Sequence, residues 1–216
     1  MELNLVDTVI VVDTKEFSDL KQENYLAINL MGTSPALKDG PIVLWESGGI
    51  LDYLLERHDS KYLLHPPHIT LDSPKDAIET RAKYLHVKQY IIVTVYPFIA
   101  SLTIHKLCSP ESEHDSAYID AATRKIDDLL IPTLVTLLGD GPFFLGQQMS
   151  AVDLLVAKPL KNLEQLGLLS QRSPLQSLFD RVSALPSFEQ AYSSTTKYHN
   201  RTREMIQIPS RIALVS

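Results

Sequence analysis

Residues 29–54, NLMGTSPALKDGPIVLWESGGILDYL, gather groups that could hold an amino-acid carboxylate. Pro35 follows Ser34 at the entry to an apolar segment. A proline there, lacking an N–H, suits a sharp turn and permits a cis bond. Ser34 is then left to offer its own backbone N–H and C=O to an extended ligand. Asp39-Gly40, between Ala36-Leu37-Lys38 and Ile42-Val43-Leu44, reads as the two-residue type I′ turn of a hairpin. That hairpin returns Trp45-Glu46-Ser47 to the side of Pro35. Ser47 opens the apolar-periodic run Ile50, Leu51, Leu54, Leu55, where a serine caps free backbone N–H groups and the helix dipole favours an anion. Gly48 and Gly49 let that anion approach the backbone. His105 and Cys108 are three apart on one predicted helix face, a metal-compatible spacing. With no second ligand cluster, no metal site is assigned.

The elements that must position these groups are legible in outline. Val9–Val12 is a short β-branched run, read as a buried strand. Glu23–Ile28 reads as a brief helix before the turn at Asn29, and the Ser47 helix is expected to reach about His58. Residues 59–73, with Pro66 and Pro67, read as a linker whose flanking His58, His65 and His68 face solvent. Ser73-Pro74-Lys75-Asp76 predicts a helix with Ser73 as N-cap, running to Leu107 with a kink at Pro97. After the polar loop 109–115, apolar spacing predicts a helix over Ser116–Leu138 that Gly139 ends. Ser150 and Asp153 form a capping box, with Met149 and Leu154 as its hydrophobic staple. Ser173–Leu185 is a further amphipathic helix. The mildly basic tail Thr196–Ser216 carries Arg201, Arg203 and Arg211.

At 216 residues and 44% hydrophobic, the chain can bury a full core in one large or two small domains. Its start, MELNLVDTV, lacks the basic and apolar regions of a signal peptide, and no apolar run approaches a bilayer-spanning ~18 residues. A cytoplasmic protein without a membrane partner is the expectation. The single cysteine, Cys108, excludes an internal disulfide or a thiolate cluster within one chain. A net charge of −6 argues against nucleic acid as a partner, since no basic surplus displaces phosphate counterions.

The stretch resembles the glutathione site of the cytosolic glutathione S-transferase family, whose members carry Asn-Pro-x-Gly-x-Val-Pro-x-Leu, a hairpin, then Glu-Ser-x-Ala-Ile and an apolar helix. Asn29, Gly32, Pro35, Leu37, Glu46, Ser47 and Ile50 match; Leu30 stands for the first proline and Ser34 for the valine. The resemblance extends through Gly141–Gly146 and the capping box to about Tyr192. It implies an α/β plus all-α fold: a thioredoxin-like glutathione-binding domain over residues 1–60, then an all-helical domain over 74–216. Ser34 would pair with the cysteinyl backbone of glutathione, beside Pro35, while Glu46 and Ser47 hold its γ-glutamyl amino and carboxylate groups. Tyr84, Tyr90, Tyr96 and Phe98 lie on the helix that lines the electrophile pocket in the family, with Tyr90 and Tyr96 the chosen candidates. A homodimer is expected, through the Ser47 helix region of one subunit and the long helix of the other.

The thioredoxin-like domain of the family begins with a strand and helix before the strand that Val9–Val12 matches, a unit of roughly 25 to 30 residues at usual element lengths. Eight residues precede Val9. The half-domain is therefore expected to be a shortened form of a longer one, rearranged, partly disordered, or completed by another chain. Family members lower the thiol pKa of glutathione with a hydroxyl or thiol in that first unit. No residue takes this role by motif: Ser18 and Tyr25 fall after the matched strand. The resemblance implies conjugation of glutathione to an electrophile in a complete form, or, in the alternative, a non-catalytic binding or assembly module.

Overall fold

The computed structural model describes Leu3, residues 17–169 and residues 173–193. The expected strand Val9–Val12 and the tail Thr196–Ser216 lie outside them. A 3-10 turn, Phe17–Lys21, and a one-turn helix α1, Glu23–Leu26, lead to an antiparallel hairpin of β1, Ala36–Asp39, and β2, Ile42–Trp45. Pairing runs from Ala36 opposite Trp45 to Asp39 opposite Ile42. The turn residues are therefore Gly40-Pro41, one position later than Asp39-Gly40. Gly40 takes φ +58, but proline at the second position cannot, so the type I′ requirement for two positive φ values fails. Helix α2, Ser47–His58, packs back on both strands. Hairpin and helix form part of a thioredoxin-like unit, and among the described residues every later element is helical apart from an isolated bridge between Phe143 and Gly146.

Helix α3, Lys75–Gln89, continues without a break through a π segment, Tyr90–Val95, into α4, Tyr96–Thr103, and a second π segment, Ile104–Cys108. Ser73 does not cap it. Pro74 precedes the first turn, and the Ser73 hydroxyl instead accepts the Thr70 N–H at 2.8 Å. The fault expected at Pro97 is taken up one residue earlier, where the Tyr96 N–H reaches the Ile91 carbonyl five residues back. The same device recurs in the next helix. α5, Ser116–Lys125, passes through a π segment, Ile126–Leu130, into α6, Ile131–Leu138, and the Ile131 N–H, just before Pro132, reaches the Ile126 carbonyl. Widening the turn ahead of proline moves the carbonyl its ring would strike.

Helix α7, Ala151–Gln165, packs against α3, α4 and α8, Pro174–Ser183, and α9, Pro186–Ser193, follows. Ser150 and Asp153 form the capping box: the Asp153 carboxylate accepts the Ser150 N–H and hydroxyl, each at 2.8 Å, and the Phe144 N–H at 2.9 Å. Burial nonetheless pushes the Asp153 carboxyl up. Ser173 caps α8 through the Gln176 N–H.

By length and composition the continuous helix Lys75–Cys108 could cross a bilayer, contrary to the sequence expectation. Part of its apolar character is used in packing: Ile91, Val95, Ile99 and Leu102 lie fully buried in the core with Val156, Leu160 and Leu163 of α7, while Val93, Tyr96 and Leu107 are exposed. Each such side chain contributes about 1.5–3 kcal/mol on burial.

The segment between α2 and α3 is not simply a solvated linker. Asp59 and His65 are buried, and His65 thus corrects the expectation that it faces solvent. The Asp59 carboxylate accepts the Leu63, Leu64 and His65 N–H groups at 2.8, 2.7 and 3.2 Å and the His65 Nδ1–H at 2.9 Å. Burial pushes this carboxyl up, but the donors outweigh it and hold its pKa below the usual value.

Candidate functional site

The turn that delivers Ser34 is built by local polar chemistry. Asn29, fully buried, donates from Nδ2 to the Thr33 carbonyl at 2.7 Å and accepts the Met31 N–H at 3.0 Å. Lys21 Nζ donates to the Met31 and Gly32 carbonyls at 3.1 and 3.0 Å, and the Tyr25 hydroxyl donates to the Thr33 carbonyl at 2.6 Å. Gly32 has φ +57, and a Cβ there would meet the Leu20 carbonyl oxygen at 2.7 Å, so the position excludes a side chain on both counts. The next step is the Ser34–Pro35 bond, which is cis.

Because Ala36 pairs with Trp45, Pro35 and Glu46 are the next residues beyond the last rung of the ladder. Ser34, Pro35, Glu46 and Ser47 are all exposed at this end of the hairpin. The register thus brings the four sequence candidates to one place. Ser47, however, is not the N-cap. The chain enters α2 through Glu46 at φ 73, ψ 117, Ser47 is the first helical residue, and no side-chain cap bond forms. A capping side chain must sit one position earlier, in extended backbone. The first helical bond runs from the Ile50 N–H to the Glu46 carbonyl at 3.0 Å. The N–H groups of residues 47–49 therefore point out of the helix end without an intrahelical acceptor, which still favours an anion. Positive φ at a non-glycine residue costs about 1–3 kcal/mol, and such strain concentrates at functional sites.

Three ties hold α2 in this position. Lys88, buried on α3, places Nζ 2.7 Å from both carboxylate oxygens of Asp52. The Tyr53 hydroxyl and Arg57 Nε both reach Asp39 Oδ2, at 2.7 and 3.2 Å. Asp59 closes the far end. Gly48 lies against the long helix, since a Cβ there would meet Ile92 Cδ1 at 2.9 Å. Sequence reading missed Lys21, Lys88 and Asp59. Their roles depend on partners 4 to 36 residues away that no local motif announces.

The aromatic candidates divide. Tyr84 is fully buried, its hydroxyl has no hydrogen-bond partner among the described residues, and burial pushes its pKa far up. Tyr90 is half-buried against the core and Tyr96 is 40% exposed. An open cleft of about 410 Å³ begins at the next residue, lined by Pro97, Ala100, Ser101, Ile104, His105 and Ser109. Neither Tyr90 nor Tyr96 lines it. Cys108 is half-buried, and burial pushes its thiol pKa up despite Lys158, which suits a packing residue better than a nucleophile. His105 Nε2 is occupied by the Asp115 N–H at 2.9 Å, and among the described residues no group of three metal-ligating side chains forms. The Tyr25 hydroxyl lies beside the site, but its proton is committed to Thr33. Of Ser18, only the backbone falls within the described residues.

No family model matches the chain. Individual proteins do. It is 30% identical over 149 residues to the glutathione S-transferase-like protein gedE of Aspergillus terreus, covering 64% of this chain and 61% of gedE. It is 27% identical over 176 residues to the glutathione S-transferase GstB of Escherichia coli, covering 80% and 79%. The chain thus spans about three fifths of the length of gedE and four fifths of that of GstB. The crystal structure of human glutathione transferase theta-2 in complex with glutathione superposes with a TM-score of 0.73 at 23% identity, covering 89% of this chain and 78% of that one. That likeness establishes the fold, a thioredoxin-like unit joined to an all-helical array. With the Asn29–Ile50 motif carried on that fold, the chain is similar in sequence to glutathione S-transferases and shares their fold.

Proposed function

We propose that this chain binds glutathione in the groove between the cis-proline turn and the start of α2. The Ser34 backbone would pair with the cysteinyl residue beside Pro35. Glu46 would take the γ-glutamyl amino group, and Ser47, with the free N–H groups of the helix start, its carboxylate. The juxtaposition of these four exposed residues at one end of a two-stranded ladder supports this reading most directly. Strain at Glu46 adds to it, because φ 73 aims a carboxylate-bearing residue where a glycine would be easier.

The reaction that accompanies such a site is conjugation of the glutathione thiol to a small electrophile, as in detoxification. A second reading, a non-catalytic binding or assembly module, draws on one observation: the Tyr25 hydroxyl proton is bonded to Thr33 instead of being free for a thiolate. On either reading the glutathione-binding unit takes in residues 1–60 and the helical unit 74–216, in a cytoplasmic protein. The apolar Ile78, Leu85 and Val93, exposed along the long helix, suit a homodimer in which that helix meets the α2 region of a second copy. Gel filtration at the monomer mass would contradict it.

Retention on immobilised glutathione tests the site. Glu46→Ala or Ser47→Ala should cost about 1.5–3 kcal/mol of affinity, the usual worth of a charge-assisted hydrogen bond, with the helical array still folded by circular dichroism. Unchanged retention would count against the assignment.

A further inference from the structure

Helix α2 carries glycine at both its second and third positions, where alanine would favour the helix more. Neither takes a positive φ, so backbone geometry does not call for glycine there. Space explains one of them. Gly48 is half-buried, and a Cβ there would meet Ile92 Cδ1 at 2.9 Å and Ile92 Cγ2 at 3.9 Å. Gly49 is exposed, and a Cβ there would meet nothing within 4 Å. The first turn of α2 thus rests on the long helix through Gly48 and leaves Gly49 on the open side. Ile92 is set apart in the same way: Ile91 and Val95 are fully buried in the core, whereas Ile92 is half-buried outside it. It lies in the π segment Tyr90–Val95, whose turn widens where the Tyr96 N–H reaches the Ile91 carbonyl. Such segments gather at functional sites. One turn before Ile92, Lys88 Nζ lies 2.7 Å from both carboxylate oxygens of Asp52, one turn after Gly48. The two contacts therefore run in opposite directions along the two helices. The ion pair fixes the body of α2, and Ile92 sets how closely its first turn approaches.

We propose that Ile92 is a positioning residue for glutathione: seated against Gly48, it holds the first turn of α2 in the orientation that receives the γ-glutamyl carboxylate. The inference rests on the glutathione reading above. The first helical bond joins the Ile50 N–H to the Glu46 carbonyl at 3.0 Å, so the N–H groups of residues 47–49 have no intrahelical acceptor. A carboxylate gains from them together only while that turn keeps one orientation. Helix ends fray, and no side chain caps this one. The Ile92–Gly48 contact supplies the order that a cap would otherwise give. Alanine at position 92 removes the seat. Alanine at position 48 adds a methyl group that displaces either the end of the Ile92 side chain or the helix start. In both cases the Lys88–Asp52 pair keeps the rest of α2 in place, so the loss falls on the ligand end of the helix.

The test titrates glutathione into the full chain as the parent, Ile92→Ala, Gly48→Ala, Gly48→Ala combined with Ile92→Val, and Glu46→Ala. Ile92→Ala and Gly48→Ala should each weaken binding about three- to tenfold, within the usual coupling of touching residues. Valine at position 92 lacks the methyl that a Cβ at 48 would meet at 2.9 Å and keeps the one at 3.9 Å, an ordinary contact. The double variant should therefore recover to within about twofold of the parent. Hydrogen exchange in the glutathione-free chain separates positioning from general loss of stability. Ile92→Ala should speed exchange of the Ile50 N–H about three- to tenfold and leave the Asp59 N–H, bonded to the Leu55 carbonyl at the far end of α2, unchanged. If one alanine variant fails to fold, the other carries the affinity comparison. Parent-like affinity in Ile92→Ala and Gly48→Ala, a double variant no tighter than Gly48→Ala, or Ile50 and Asp59 exchange speeded alike would overturn the inference. Should that happen while Glu46→Ala still weakens binding, the glutathione site stands without Ile92. No binding to the parent would overturn both.

Discussion

Replacing Asp59 with alanine tests how firmly the glutathione-facing helix is anchored. The carboxylate sits at the C-terminal end of α2, 4% exposed, and receives three backbone N–H groups and the His65 ring. Removing it strands four donors, at least two of them in the buried Leu64–His65 step. Breaking one side of a buried pair of this kind costs about 3–5 kcal/mol. Against a usual total of about 5–15 kcal/mol that is a large fraction. For a chain of this size it corresponds to a fall in Tm of roughly 6–20 °C, readable by circular dichroism at pH 7. The pH dependence has a definite sign. The folded Asp59 pKa lies below its ordinary value of 3.8, so its contribution is complete above that value and is lost as pH falls through the folded pKa. The gap between parent and Asp59→Ala should therefore be widest near neutrality and narrow below about pH 4. A variant melting within ~2 °C of the parent at pH 7, or a gap that widens in acid, would refute the reasoning.

Other substitutions separate effects that a static view runs together. Glu46→Gly removes the strained φ along with the carboxylate, so it should raise Tm by a few degrees, equivalent to about 1 kcal/mol, while weakening glutathione retention. Gly32→Ala should destabilise by more than ~1 kcal/mol in urea titration, because it meets both a positive φ and the Leu20 carbonyl. Asp52→Ala should cost about 3–5 kcal/mol by leaving the Lys88 ammonium buried alone. Lys88→Met should cost less, since Asp52 is 42% exposed and can turn to water. Equal losses from the two would show that the pair is not asymmetric as described.

Much of the architecture is legible from local sequence, because its determinants are local. The apolar spacing of Ile126, Leu130, Leu134 and Leu138 and the Ser150–Asp153 box each act within one or two turns, and both are present. The hairpin is legible too, but its frame is not: Asp-Gly is the stronger turn signal until Pro41 takes the second turn position and moves the loop on by one. Ser47 looks like a cap because its residue type fits. Only the backbone at Glu46, set by the hairpin exit, moves it inside the helix. His65 reads as a solvent-facing linker residue because its burial depends on Asp59 folding back over the segment. The Tyr90–Leu107 stretch illustrates the converse. Four of its apolar residues, Ile91, Val95, Ile99 and Leu102, pack in the core, a use that the sequence alone does not reveal.

The most direct measurement of the central claim is isothermal titration of glutathione into the chain as it stands, beside Glu46→Ala and Ser47→Ala. A saturable heat with the parent, weakened roughly tenfold or more in each variant, is the predicted result. No binding to the parent, or binding that both variants leave intact, would contradict it.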